Sequence, residues 1–256
     1  MNAEVQKAID YSERLMATAI DVVGAAKIEL DAQWARHPKI VGLTILCRSI
    51  SNFRAALLLA QNRHVNEARA LGRCLYENLL WVGALRERGS AFVQDMLKDE
   101  AFNRQSLVEY TLRITQKHGA DVNSGDSLTL RSLTKDIGKQ FPGTKKLNAS
   151  KTAAEGAVEL GYVEYLRLSL DGVHCSVTAL GRHLSREVVA ENRLELVVTV
   201  EAKTSDAEML SVILLSCRAL IGVAVGVNEI LGFTSESERL GTLVAEFNTN
   251  SWPIVD

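Results

Sequence analysis

The chain has 256 residues, of which 47% are hydrophobic, 23% charged and 5% aromatic, with three prolines and a formal net charge of −2. This composition is that of a folded globular protein and excludes disordered, collagen-like and disulfide-rich chains. The near-neutral charge provides no overall field that would attract nucleic acid or an anionic membrane. Sandwiches and barrels need turn residues roughly every 8–12 positions, so the scarcity of proline predicts an all-α, multi-helix bundle.

Helical spacing of apolar residues predicts three helices in the first third of the chain: Ala3–Ile28, Pro38–Ala60 and Val65–Arg86. Gly89 followed by Ser90 predicts a C-cap and then the N-cap of a fourth helix, which extends to Lys117. Residues 119–150 are rich in Gly, Ser, Asp and Asn, and we interpret them as a loop-rich insertion with one short helix near Leu128–Lys139. A boundary between two domains is the alternative. We favour one domain over residues 1–256, because neither half has a closed core of its own.

This insertion lies in the most basic part of the chain. Residues 113–151 contain eight Lys or Arg against three Asp. The basic charge is interpreted as a solvated loop, with a local nucleic-acid patch as the alternative.

Helical spacing resumes near Ser150, is interrupted at Gly172 and continues for a few turns over Val177–Leu184. The alternating segment Leu194–Glu201 predicts an extended arm or strand. A long apolar helix follows, with N-cap candidates at residues 204–206 and an end near Leu231. The tail is predicted to be weakly ordered, with Trp252 and Ile254 able to dock onto the bundle.

The long apolar helix also satisfies simple criteria for a membrane span. Met209–Val227 contains 14 apolar residues in 19, and Gly222 and Gly226 have the spacing of closely packed membrane helices. Arg218 at its centre would cost about 2.5–3.5 kcal/mol in a bilayer. We therefore predict no membrane contact and a central buried helix, in which Arg218 needs a carboxylate partner.

The cysteines and the N-terminus predict a cytoplasmic protein. Cys47, Cys74, Cys175 and Cys217 lie far apart in apolar stretches, which predicts buried thiols in a reducing compartment. Met1 and the residues after it have neither the basic nor the apolar region of a secretion signal.

Signatures of several enzyme classes are absent from the sequence. It has no Gly-x-Ser-x-Gly elbow, no phosphate-binding glycine loop and no His-Glu-x-x-His. His64 and Glu67 stand in the reverse order of the Glu-x-x-His of carboxylate-bridged metal sites. We predict neither a metal site nor a cofactor.

Four charged residues lie on otherwise apolar helices: Arg48, Arg73, Glu77 and Arg218. Such charges are seldom buried unless paired, so we predict a network among them. Its role is either structural, with Glu77 neutralising arginines, or ligand-binding, since arginine binds oxyanions through two parallel hydrogen bonds.

The segment Tyr162–His174 supplies a second candidate site. A histidine titrates near neutral pH and can transfer protons, and an arginine can stabilise a phosphoryl transition state. Helical spacing of seven residues would place Arg167 and His174 on one face. The alternative is that His174 is a structural histidine at a helix end.

Three segments resemble a bacterial family of helical proteins known only as a domain of unknown function. They are Arg48–Ala60, Asn66–Leu80 with its Glu-Ala-x-x-Leu-x-Arg-x-x-x-Glu run, and Tyr165–His174 with Ser169. We group Ser169 with the polar network as a ligand-binding or structural residue. The resemblance itself implies no function.

The spacing of Arg167 and His174 also resembles, more distantly, that of the HEPN superfamily of helical and usually dimeric proteins. Its ribonuclease members carry Arg followed four to six residues later by His. This resemblance implies a homodimer that binds RNA or cleaves it without metal, with His174 moving protons and Arg167 holding the phosphate. The alternatives are a non-catalytic module that binds a protein partner, and a sensor of a small anionic ligand using Arg48 and Arg73.

Overall fold

A computed structural model describes residues 2–29, 34–119, 124–174, 176–190 and 193–252 of the chain. Within these ranges there are ten α-helices, a short 3₁₀ turn at Trp34–Arg36 and one antiparallel sheet of two strands. The helices are α1 (Ala3–Gly24), α2 (Pro38–Gln61), α3 (Val65–Arg88), α4 (Ser90–Lys117), α5 (Gly125–Gln140), α6 (Ala149–Glu155), α7 (Glu159–Gly172), α8 (Val177–Gly181), α9 (Asp206–Leu231) and α10 (Ser237–Thr249). The strands are β1 (Leu184–Ala190) and β2 (Arg193–Val198). The predicted all-α, multi-helix fold is confirmed.

The centre of the bundle is α9, which packs against α1, α2 and α3. Its N-terminus is closed by a capping box in which Ser205 and Glu208 satisfy each other's backbone N–H groups. Its C-terminus ends at Gly232, which adopts the left-handed conformation with φ of 84°. These local signals and the buried apolar faces confirm the prediction of a central apolar C-terminal helix.

Glycines let α9 approach α3 closely. A Cβ atom at Gly222 would lie 2.6 Å from Leu79 Cδ1, and one at Gly226 would lie 2.6 Å from Val82 Cγ1. The Gly-x-x-x-Gly spacing therefore serves helix packing inside this bundle.

One stripe of α9 reaches the surface, and Arg218 lies on it. Its neighbours Cys217 and Ala219 are buried, but Arg218 itself is exposed to solvent. The expectation that Arg218 needs a carboxylate partner is therefore wrong, because α9 is not enclosed all round and water solvates this guanidinium.

Within the described ranges, two helices qualify as membrane spans by length and composition alone: α2 and α9. In α9, 67% of the apolar window is buried within the bundle. A core helix passes the same test, so this finding is weak evidence for a membrane.

The insertion contains more helix than its composition predicts. α5 spans 16 residues where the sequence predicts a short helix near Leu128–Lys139. It packs against α4, where the Gln105 side chain donates to the Thr134 carbonyl and accepts from the Thr144 hydroxyl. Contacts with α4 therefore position the chain that leads into α6.

Two elements of the C-terminal third differ from the prediction. Residues 184–190 form β1, which pairs antiparallel with β2 and has an irregularity between Val188 and Ala190. The alternating segment thus finds its partner in a stretch that begins where the predicted helical turns end, at Leu184. The tail forms α10, whose buried Leu240, Leu243 and Phe247 have helical spacing. Trp252 docks against it by donating its indole N–H to the Phe247 carbonyl, while Ile254 lies outside the described residues.

The cysteines fall into different environments. Cys217 is fully buried, and burial raises the pKa of its thiol to about 12, so this group stays protonated. Cys74 is half-buried and Cys47 is exposed, so the prediction of a buried thiol is wrong for Cys47, which lies on the solvent side of α2. Cys175 lies outside the described residues.

Candidate functional site

One polar face of α3 is built from residues four positions apart. Arg69, Arg73, Glu77 and Trp81 follow one another along this face, which is directed toward α7 and α4. Within it, Arg73 Nη1 donates to Glu77 Oε2 over 3.1 Å. The predicted pair of Arg73 and Glu77 is therefore present in the structure.

Tyr165 of α7 completes this polar contact. Arg73 Nη2 donates to the Tyr165 hydroxyl over 2.6 Å, and the guanidinium carbon lies 4.7 Å from the centre of the tyrosine ring. Burial opposes the charge of Arg73, but the Glu77 carboxylate and the Tyr165 hydroxyl outweigh it and raise the pKa. Arg73 is therefore a fixed positive charge held between two helices.

The contact requires close packing of α7 on α3. Leu168 packs over Gly72, and a Cβ atom at Gly172 would lie 2.8 Å from the Ala70 backbone nitrogen. Upstream of α7, Gly156 lies against the backbone of Gly83 and Ala84. Because these glycines have no side chain, α7 approaches α3 closely enough for Tyr165 to contact Arg73.

A cavity of about 590 Å³, called the Arg73 cavity below, opens beside this contact. Its walls come from α3 (Arg73, Glu77, Trp81), α4 (Asp99, Asn103), α7 (Tyr162, Tyr165) and the segment into α6 (Lys146, Leu147, Asn148, Ala149, Thr152). Asp99 Oδ1 accepts from the Leu147 backbone N–H over 2.7 Å, and this hydrogen bond fixes the segment that leads into α6 against α4. The rings of Tyr162 and Tyr165 stack at 5.8 Å.

The polar groups of this cavity that have no partner among the described residues are mostly hydrogen-bond donors. Glu77 is engaged by Arg73, and Asp99 is engaged by Leu147 and by the Asn103 amide. The Lys146 ammonium and the Tyr162 hydroxyl have no hydrogen bond or ion pair to the part of the chain that the structure describes. Each terminal nitrogen of Arg73 keeps a second N–H, because each makes a single hydrogen bond.

The other predicted members of the network lie elsewhere. Arg48 is exposed on α2 and has no ion pair among the described residues, because it lies with exposed Thr44 and Ser51 on a side of the helix that faces solvent. Arg218 lies near Tyr76 of α3, where burial raises the pKa of the tyrosine hydroxyl and the positive charge of Arg218 opposes the rise. The prediction of one network joining all four charges is therefore wrong, since only Arg73 and Glu77 meet.

Ser169 is buried one turn after Tyr165. Its hydroxyl donates to the Tyr165 carbonyl over 2.7 Å, and its own carbonyl accepts from the His174 backbone N–H over 3.1 Å. Through these two hydrogen bonds, Ser169 stabilises the C-terminal end of α7 and the turn that leads to His174.

Arg167 and His174 are both accessible to solvent. The Arg167 side chain is 48% exposed and its Nε lies 3.3 Å from Glu164 Oε2, while His174 is exposed beyond the end of α7. The helix ends at Gly172, so helical spacing does not place the two on one face as predicted. They flank an exposed apolar side of α7 that includes Leu166 and Leu170.

Several cavity residues were not singled out from the sequence. Trp81 continues the four-residue spacing of Arg73 and Glu77, a signal that could have identified it. Lys146 belongs to the basic segment, but no pattern in the neighbouring sequence indicates that it lines a cavity together with residues of α3. Asp99 and Asn103 lie in a helix with many other polar side chains, so their spacing carries no distinguishing signal.

Arg69, at the start of the polar face, contributes to a separate cluster around Glu208. Arg69 Nη2 lies 3.6 Å from Glu208 Oε1, and Arg182 also donates to this carboxylate. Burial raises the pKa of Glu208, but hydrogen bonds from Ser205 and Arg182 and the charges of both arginines outweigh it, so the pKa lies below its ordinary 4.5.

We expect Glu208→Gln to lower the free energy of unfolding at neutral pH by about 1–3 kcal/mol, because the arginines lose their half-buried charged partner. A carboxyl group whose pKa is lower in the folded than in the unfolded protein stabilises the fold at pH values above its unfolded pKa. This stabilisation is lost as the pH falls through the folded pKa. The difference between wild type and variant in urea unfolding should therefore shrink below about pH 4. Glu13→Gln, at an exposed position, is the control. A difference that is equal at neutral and acidic pH would contradict this role.

Among the described residues, no group of three or more His, Cys, Asp or Glu side chains is arranged to hold a metal ion. His64 is exposed and Glu67 lies one turn away on α3, without a third ligand beside them in the described ranges.

Comparison with known proteins gives one match. Residues 39–191 match a family of unknown function, DUF5677. The match contains every lining residue of the Arg73 cavity, together with Arg167, Ser169 and His174. No curated protein and no solved structure matches the chain.

Proposed function

Because the chain belongs to this family of unknown function, we propose its function from the cavity: it binds a small anionic ligand through Arg73. The supporting observation is the fixed Arg73 guanidinium, held by Glu77 and Tyr165 at the wall of a 590 Å³ cavity. A cavity of this size is in the range of small-molecule sites. Of the three functions considered from sequence, the anion sensor has the most support, with Arg48 no longer part of it.

The chemistry of the cavity favours a carboxylate or phosphate group. Arg73 offers one uncommitted N–H on each terminal nitrogen, which matches two oxygens of an oxyanion. Lys146, which also lines the cavity, adds a second positive charge. The Tyr165 hydroxyl accepts from Arg73 and keeps its own proton to donate. These groups stabilise an anion without requiring a metal or a cofactor.

Isothermal titration calorimetry with inorganic phosphate and with acetate tests this proposal. Wild type should bind at least one of them, and Arg73→Gln should weaken binding by about 10-fold or more, since charged hydrogen bonds contribute roughly 1.5–3 kcal/mol. Lys146→Gln should weaken it as well, and this exposed residue can be replaced without disturbing the core.

Arg54→Gln and Lys135→Gln are the matched controls, because both residues are exposed and neither lines the cavity. Equal affinities in wild type, Arg73→Gln and Lys146→Gln would overturn the proposal. So would the absence of binding to wild type for both anions.

A second candidate function is metal-independent RNA cleavage by Arg167 and His174 in a HEPN-like homodimer in the cytoplasm. The observation that favours it is the exposure of both side chains beside the apolar side of α7, where Val163, Leu166 and Leu170 face solvent. Association of two copies through this side would bury the apolar residues and place Arg167 and His174 next to the seam. A non-catalytic protein partner would use the same surface.

The nuclease candidate predicts cleavage of single-stranded RNA by the purified protein in the presence of a chelator. His174→Ala should abolish cleavage, because the proton-transfer group is lost, whereas His118→Ala, at an exposed position after α4, should cleave like wild type. No cleavage by wild type, or equal cleavage by wild type and His174→Ala, would overturn this candidate.

A further inference from the structure

A second cavity lies next to the Arg73 cavity and differs from it in chemistry. Its volume is about 520 Å³, and most of its walls are apolar. The apolar lining consists of Val41 from α2 and of Val93, Met96, Leu97 and Leu107 from α4. Charged side chains, among them Arg36 and Arg104, also line it.

The two cavities share part of their walls. Trp81, Asp99 and Asn103 line both of them, so the polar and apolar spaces adjoin along the junction of α3 and α4. The Trp81 ring is held in place by an edge-to-face contact with buried Phe92, at 6.4 Å between ring centres. The shared wall thus includes an aromatic side chain that adjoins Arg73 in one cavity and aliphatic side chains in the other.

We infer that the ligand is an amphipathic anion, with its anionic head at Arg73 and an apolar chain in the second cavity. This inference rests on the proposed function, because it places the anionic group at the same arginine. The position of the apolar cavity supports it: the two cavities share lining residues, so an unbranched chain directed from Arg73 toward Trp81 points at the aliphatic side chains of the second cavity. Burial of that chain removes apolar surface from water, which is the main favourable contribution to binding.

Calorimetric titration with monoalkyl phosphates from methyl to octyl, each below its micellar concentration, tests the inference. Affinity should rise by about fourfold per added methylene until the second cavity is filled. Leu97→Trp narrows that cavity and should weaken the dependence on chain length, while the affinity for methyl phosphate stays unchanged. Leu133→Trp, at a half-exposed leucine of α5 outside both cavities, is the matched control and should bind like wild type.

The outcomes separate the inference from the proposed function. Affinity that depends on Arg73 but is independent of chain length would overturn the inference and leave the proposed function in place. Affinity that rises with chain length but is unchanged by Arg73→Gln would overturn both, because the head group would then lie outside the Arg73 cavity. Chain-length dependence that is as steep in Leu97→Trp as in wild type would also overturn the inference.

Discussion

Replacing Gly156 by alanine should lower the free energy of unfolding by about 3 kcal/mol, at the upper end of typical overpacking costs. The added methyl carbon would lie 2.5 Å from the Ala84 backbone nitrogen and 2.6 Å from the Gly83 carbonyl carbon. Both atoms belong to the interior of α3, so no side-chain rotation relieves the overlap. The start of α7 must therefore move away from α3.

Gly241→Ala is the control for this prediction. Gly241 lies inside α10, and a Cβ atom there would meet nothing within 4 Å. Alanine should therefore leave stability unchanged or raise it by about 0.5–1 kcal/mol through its helix propensity. Urea unfolding followed by circular dichroism measures both variants. A Gly156→Ala protein as stable as wild type would show that the close approach of residues 83 and 156 does not hold α7 in place.

Replacing Gly226 by alanine should cost about 2 kcal/mol for a different reason. Here the new methyl would lie 2.6 Å from Val82 Cγ1, and its next contact would be at 3.9 Å. A single β-branched side chain with little rotational freedom therefore causes the overlap. Val82→Ala removes that methyl group and, because Val82 is buried, should itself cost about 2 kcal/mol.

The double variant distinguishes a local overlap from general damage to the core. If the overlap is with Val82, Gly226→Ala combined with Val82→Ala should be more stable than the sum of the single losses by about 1 kcal/mol or more. Gly42→Ala is the comparison, since its new methyl would meet Ile230 and Leu85 at ordinary distances of 3.6–3.7 Å. Strict additivity of the two single losses would exclude Val82 as the cause.

The helices could be predicted from the sequence wherever short-range signals determine them. Pro38 begins α2, Gly89 separates α3 from α4, and Gly232 ends α9, each through its own backbone preference. β1 could not be predicted in the same way, because its assignment depends on pairing with β2. The helical spacing of Leu240, Leu243 and Phe247 is a local signal for α10, whereas the docking of Trp252 depends on tertiary contact.

The candidate site was predictable only in part, for the same reason. Arg73 and Glu77 are four residues apart on one helix, so their contact follows from helical geometry. Tyr165 is 92 residues from Arg73 in sequence, and only the packing of α7 on α3 joins them. The apolar neighbours of Arg48 and Arg218 in sequence predict a charged partner for each. A helix can keep an exposed stripe between apolar faces, and both arginines lie on such stripes.

Nitrogen-15 spectra of the arginine Nε–H groups, recorded while phosphate and then octyl phosphate are added, test most directly whether the Arg73 cavity binds an anion. The Nε of Arg73 is buried and has no hydrogen-bond partner among the described residues, so its signal is a sensitive reporter. We expect the Arg73 signal to move and saturate while that of exposed Arg54 stays fixed. An unmoved Arg73 signal, or arginine signals that all move in parallel without saturation, would contradict binding at this cavity.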